Sequence, residues 1–144
     1  MNRRMITIIL IILLLYLPLL AQNGYILIVN NSIKDEVFNR ADIESIFLGK
    51  KTRWSNGLKT VPVTMKEGEI HELFIHEVIR KSINAYMNYW RKMIFTGKGV
   101  MPISFETNEE ILQYVNDTPG AIGYLSDAVK IDDFEDVVIV RLSE

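Results

Sequence analysis

Tyr114–Leu125 reads YVNDTPGAIGYL: a helix tail, a turn and a strand in twelve residues. Just upstream, Thr107 and Glu110 have the spacing of a capping box. Ile111, Leu112 and Val115 then fall on one helical face. Thr118-Pro119-Gly120 stops that helix in a turn, and Ala121–Leu125 reads as a short strand. A helix that hands over to a strand through a tight turn is a building unit of α/β domains.

The same alternation runs outward in both directions. Downstream, Val137–Leu142 is apolar nearly throughout and reads as the last strand. Upstream, Thr60–Met65 reads as a strand with Pro62 near its start, where a missing N–H matters least. Asn56-Gly57 is a tight-turn signal. Glu69–Phe95 reads as two helices broken near Ser82-Ile83-Asn84. Leu73, Val78 and Ile79 form the apolar stripe of the first, and Tyr86, Tyr89, Trp90 and Met93 that of the second. Thr96–Pro102 is a loop by composition. Before Asn56, Asn39 caps a short helix with Asp42 in its first turn. Ile43, Ile46 and Phe47 share its face, and Gly49 ends it. Gly24–Asn31 (GYILIVNN) is a buried strand closed by two asparagines. The expected fold is α/β: a single three-layer-like domain with a mixed or mostly parallel sheet.

Residues 1–22 stand apart, reading MNRRMITIILIILLLYLPLLAQ. Two arginines, an apolar run from Ile6 to Leu20 and a small residue after it describe an export signal, with cleavage expected after Ala21. The run is shorter than the roughly 20 residues that span a bilayer. The expected division is a signal peptide at 1–21 and one domain at 22–144. The expected location is exported and periplasmic, and an uncleaved segment would instead anchor the domain to the inner membrane. The chain has 144 residues, 16 basic and 18 acidic. Removing Arg3 and Arg4 with the signal leaves 14 against 18, a net charge of −4. That argues against a nucleic-acid partner. The absence of cysteine excludes disulfides, thiol catalysis, Cys-based zinc sites and lipid attachment through a cysteine.

His71–Glu77 reads HELFIHE, one residue too long for a His-Glu-x-x-His zinc helix. Five helical residues turn about 500°, so His71 and His76 would point roughly 140° apart. There is no third histidine, so no metal site is expected. His71, Glu72, His76 and Glu77 are expected to be mostly solvated, with Leu73, Phe74 and Val78 facing the core. Tyr86, Tyr89, Trp90 and Phe95 sit at helical spacing and are expected to pack inward. Gly97-Lys98-Gly99 lacks the rest of a phosphate-binding P-loop and reads as a flexible turn. No catalytic constellation stands out, and neither an enzyme activity nor a cofactor is expected.

Four pieces in order carry a resemblance: IFLGKKTRWSNG (Ile46–Gly57), VPVTMKEGEIHELF (Val61–Phe74), YWRKMIFTGKGVMP (Tyr89–Pro102) and YVNDTPGAIGYL. Together they resemble the second lobe of the type 2 periplasmic substrate-binding proteins, in the phosphate-binding branch that feeds ABC transporters. The resemblance covers nearly all of Tyr25–Leu125 and implies one lobe where the family has two. It also implies a ligand site at the N-terminus of the helix carrying HELF. There the family places a Ser-Gly-Thr element, often preceded by a basic residue, whose N–H groups, hydroxyls and helix dipole bind an oxyanion. This chain has Lys66-Glu67-Gly68-Glu69. Gly68 is kept, Lys66 offers a cation, and both hydroxyl positions hold glutamate. His71 lies one turn in, and Asn30 and Asn31 close the first strand. These seven residues are the ligand-binding candidates. The implied partner is a small anion. An envelope or transporter protein and a second copy of the chain are the other expected partners, and a ligand-free interaction domain is the alternative function.

Overall fold

The computed structural model describes residues 24–143. The expected signal peptide and its cleavage point lie outside them. The strands are β1 (Tyr25–Asn30), β2 (Val61–Met65), β3 (Ile103–Phe105), β4 (Ala121–Ser126) and β5 (Val137–Val140). The helices are α1 (Arg40–Phe47), α2 (Glu69–Glu77), α3 (Ile83–Phe95) and α4 (Asn108–Asp117), with one 3-10 turn at Asn31–Ile33. One sheet holds the strands in the order β3-β2-β4-β1-β5. β2 runs parallel to β3 and β4, whereas β1 is antiparallel to both of its neighbours, β4 and β5. The sheet is therefore mixed, with one reversed strand next to an edge.

Strand alternation divides the core between the two faces of the sheet. Leu27, Val29, Ile122 and Tyr124 point to the face covered by α1, α2 and α3, where Phe47, Phe74, Ile75, Tyr86 and Trp90 fill the space. Ile28, Ala121 and Leu125 point to the other face, against Ile111, Leu112 and Val115 of α4. The domain thus has three layers: helices, sheet, helix. At Gly123 of β4 the packing on α4 is close. A Cβ there would lie 2.9 Å from Val63 Cγ2 and 3.0 Å from Ile111 Cγ2.

The helix ends follow the sequence closely. Asn39 accepts from Asp42 N–H, Ser82 from Ala85 N–H, and Thr107 and Glu110 form the expected capping box. Trp54 is buried, and its indole N–H donates to Gly120 O at 2.9 Å. That bond ties the Trp54–Gly57 turn to the turn before β4, two segments that the sequence leaves 66 residues apart.

Three expectations need correction. His71 is buried, only 6% exposed. It shares the inward face of α2 with Phe74, Ile75 and Val78, at the i, i+3, i+4, i+7 spacing of a helix stripe. Leu73 lies beside that face and is only partly covered. Phe95 does not pack inward: it is 92% exposed at the end of α3, whereas Tyr86 and Trp90 are fully buried.

Candidate functional site

β2 ends at Met65, and the chain crosses Lys66-Glu67-Gly68 into α2. Gly68 is the N-cap residue at φ 110°, a backbone geometry that favours glycine. With no side chain, it provides no side-chain cap, in contrast to Asn39, Ser82 and Thr107 at the other three helices. The first turn of α2 therefore presents backbone N–H groups and the positive end of the helix dipole. Glu69 and Glu72 stand in that turn and offset it.

Lys66 is not a free cation. Its Nζ lies 2.8 Å from Glu106 Oε1, just beyond β3, and its backbone N–H donates to Phe105 O. The hydrogen bond to Glu106 raises the Lys66 pKa, and the same bond lowers that of Glu106. Both side chains are exposed, so the pair is screened and contributes little to stability. Its consequence is local: a cation aimed at an anion by the sequence is already held by a carboxylate.

Below this turn, His71 Nδ1 lies 2.5 Å from Tyr124 Oη. Tyr124 Oη also accepts the Met65 N–H at 3.2 Å. With that N–H bonded to the oxygen, the phenol proton is free to go to His71. The imidazole then accepts at Nδ1, carries its proton on Nε2 and is neutral. Burial lowers the His71 pKa, which favours the same state, and burial raises that of Tyr124. Tyr86 stands edge-on to His71, its own pKa raised by burial to about 12. His71 is therefore a core hydrogen-bond partner that locks the end of β2 and the start of α2 onto β4.

Of the seven ligand candidates, Lys66, Glu67, Gly68, Glu69 and His71 come together at this end of the sheet. Asn30 and Asn31 do not. β1 is antiparallel to β4, with Val29 opposite Ile122, so its last residues lie where β4 begins. β2 is parallel to β4, so Lys66 lies at the opposite end. Asn30 is buried and has a structural task there. Its Nδ2 donates to Val115 O and Asn116 O at the end of α4, and its Oδ1 accepts from Ser32 N–H. His71 and His76 do not share a face, since His76 is exposed. Sequence reasoning missed Tyr124 and Glu106, the two partners that fix His71 and Lys66. The i+3, i+4, i+7 stripe below His71 was the available signal for its burial. A cleft of about 530 Å³ lies away from this turn, lined by Asn39, Arg40, Arg80, Leu142 and Ser143 among others.

No protein-family model matches the sequence, and no curated protein does. Solved structures do match. A PstS from Borrelia burgdorferi aligns with a TM-score of 0.62 at 15% identity, over 83% of this chain and 47% of that one. An ABC-type phosphate transport receptor from Vibrio cholerae aligns with a TM-score of 0.60 at 15% identity, over 83% and 46%. A putative phosphate ABC transporter substrate-binding protein from Clostridium perfringens, solved with bound phosphate, aligns at 0.59 and 18% identity, over 83% and 45%. The chain thus spans under half the length of each. The fold matches one lobe of a periplasmic binding protein, as the four sequence pieces led us to expect.

Proposed function

We propose that the chain is an exported, half-size binding module that captures a small anion, of the phosphate class, at the Lys66–Glu69 turn and the N-terminus of α2, in the service of ABC-type transport. The observation that carries this reading is the uncapped start of α2 at the end of β2, in a fold shared with phosphate receptors. Backbone N–H groups and the helix dipole bind an oxyanion without help from any one side chain. The two glutamates and the Lys66–Glu106 pair make the site weak in its present form.

Those same features favour a second reading, a ligand-free interaction domain of the cell envelope. Calorimetric titration with phosphate, then sulfate, molybdate and small carboxylates, separates the two. The first reading expects heat on phosphate addition, with a higher affinity in Glu67→Ser/Glu69→Thr. Absence of heat from the folded protein, in both the parent and the double variant, would leave the interaction domain.

A further inference from the structure

From Val78 to Phe105 the chain carries five cations, Arg80, Lys81, Arg91, Lys92 and Lys98, and no acidic residue. This is a sharp local reversal in a chain whose acids outnumber its bases, 18 to 16. The end of α3 concentrates it. Arg91 and Lys92 precede Phe95 by four and three residues, which places all three on neighbouring positions of the helix surface. All are exposed, as is Lys98. Among the described residues none of these three cations makes an ion pair. Lys50, also exposed, follows Leu48-Gly49, which packs against Tyr89 and Trp90 of the same helix.

Apolar side chains stand among these charges. Phe95 is 92% exposed, Val100 89% and Ile94 55%. They are held in place. Gly97, at φ 66°, ends the helix with its N–H on Ile94 O and the Lys98 N–H on Met93 O. Gly99 then packs so closely that an added Cβ would lie 3.2 Å from Met93 and 3.3 Å from Trp90. The loop therefore folds back with Gly99 against the end of α3, and Val100 follows it, exposed. Exposures near 90% describe a protruding tip, not a groove. A tip inserts into something; it does not receive a partner's side chain.

We propose that this tip docks the domain on an anionic phospholipid surface, with Phe95 and Val100 entering the headgroup boundary and Arg91, Lys92 and Lys98 meeting the phosphates. Exposed apolar side chains ringed by cations are the recognition chemistry of such a surface. Charge decides against a tip-to-tip pair of copies, since two such tips repel. The surface lies apart from the α2 site. The loop leads into the start of β3, whereas Lys66 follows the end of β2, and the two strands are parallel.

The chain has no native cysteine, so one introduced thiol can report locally. The N-terminal apolar run is a lipid handle of its own, so the test reads position and not bulk binding. The full chain would carry Thr96→Cys with an environment-sensitive fluorophore, and Val37→Cys, at an apolar site 71% exposed in another segment, would be the control. Vesicles of mixed phosphatidylglycerol and phosphatidylcholine should shift the emission of the label at 96 to the blue, and pure phosphatidylcholine should not. The label at 37 should stay unchanged. Arg91→Gln/Lys92→Gln/Lys98→Gln should raise the lipid concentration needed by roughly a hundredfold. Phe95→Ser/Val100→Ser should abolish the shift while the circular dichroism stays that of the parent. Equal shifts on both vesicle types, equal shifts at 96 and 37, or a shift indifferent to the triple variant would overturn the proposal. So would a shift that grows with protein concentration in the absence of lipid, which would mean contact between copies.

Discussion

Tyr124 is the residue on which the candidate site rests. Its ring stacks on Phe74 at 3.8 Å between centroids, and its hydroxyl joins His71 to Met65. Tyr124→Phe removes that hydroxyl and leaves the Met65 N–H and His71 Nδ1 buried without a partner. The expected loss is about 1–3 kcal/mol by denaturant titration. His71 makes a separate prediction for pH. Its pKa is depressed in the folded state by burial, and the groups that face it, Tyr124 from β4 and Tyr86 from α3, are phenols whose own pKa values burial raises. The unfolded chain therefore binds a proton near pH 6.5 that the folded protein refuses. Stability should be constant above that pH and fall as pH drops from about 6.5 through the lower folded pKa. The carboxylates with lowered pKa values, Glu106 and Asp117, add losses only at still lower pH. In His71→Asn, which keeps a neutral acceptor, the denaturation midpoint should lose most of its slope between pH 7 and 5. A slope unchanged from the parent would mean that His71 is solvated after all.

At the scale of elements, the helices were legible because their ends are written in local chemistry. Asn39, Thr107 and Glu110 announce caps a few residues from what they cap. The capping box on α4 gives a clean test, since Thr107 is exposed and its oxygen accepts the Glu110 N–H. Thr107→Ala should lower stability by about 1 kcal/mol, and Thr107→Ser should restore nearly all of it. An alanine variant as stable as the parent would show that Glu110 alone holds the end. β3 was not legible. Its three residues, Ile103-Ser104-Phe105, have no buried member, and the segment is a strand only because β2 supplies a ladder, Val63 opposite Ile103 to Met65 opposite Phe105. The burial of His71 was legible in principle, because its spacing to Phe74, Ile75 and Val78 is a helix stripe. The polarity of the residue hid it.

At the scale of the molecule, what the sequence withheld was strand direction. GYILIVNN reads the same in either orientation, so nothing local says that β1 runs against its neighbours. That reversal separates Asn30 and Asn31 from Lys66 by the length of the sheet. A second consequence of this topology concerns cooperativity. The two cores share no helix, and they meet only through strands such as β1 and β4, whose alternate residues serve opposite faces. Both tryptophans, Trp54 and Trp90, sit on the α1–α3 side. Leu112 sits on the α4 side, fully buried. Leu112→Ala should cost about 2–5 kcal/mol. If the sheet transmits strain between faces, tryptophan fluorescence and far-ultraviolet circular dichroism must report the same lowered midpoint, as a two-state domain requires. The coupling would run through β4, whose Gly123 packs on the α4 side while Ile122 and Tyr124 serve the other core. Val63 of β2 and Ile111 of α4 leave no room there for even a methyl group, so a shift of the helix is felt directly by the strand. A tryptophan transition that stayed at the parent midpoint while the dichroism moved would show α4 peeling away alone. The domain would then be two cooperative units joined by one sheet.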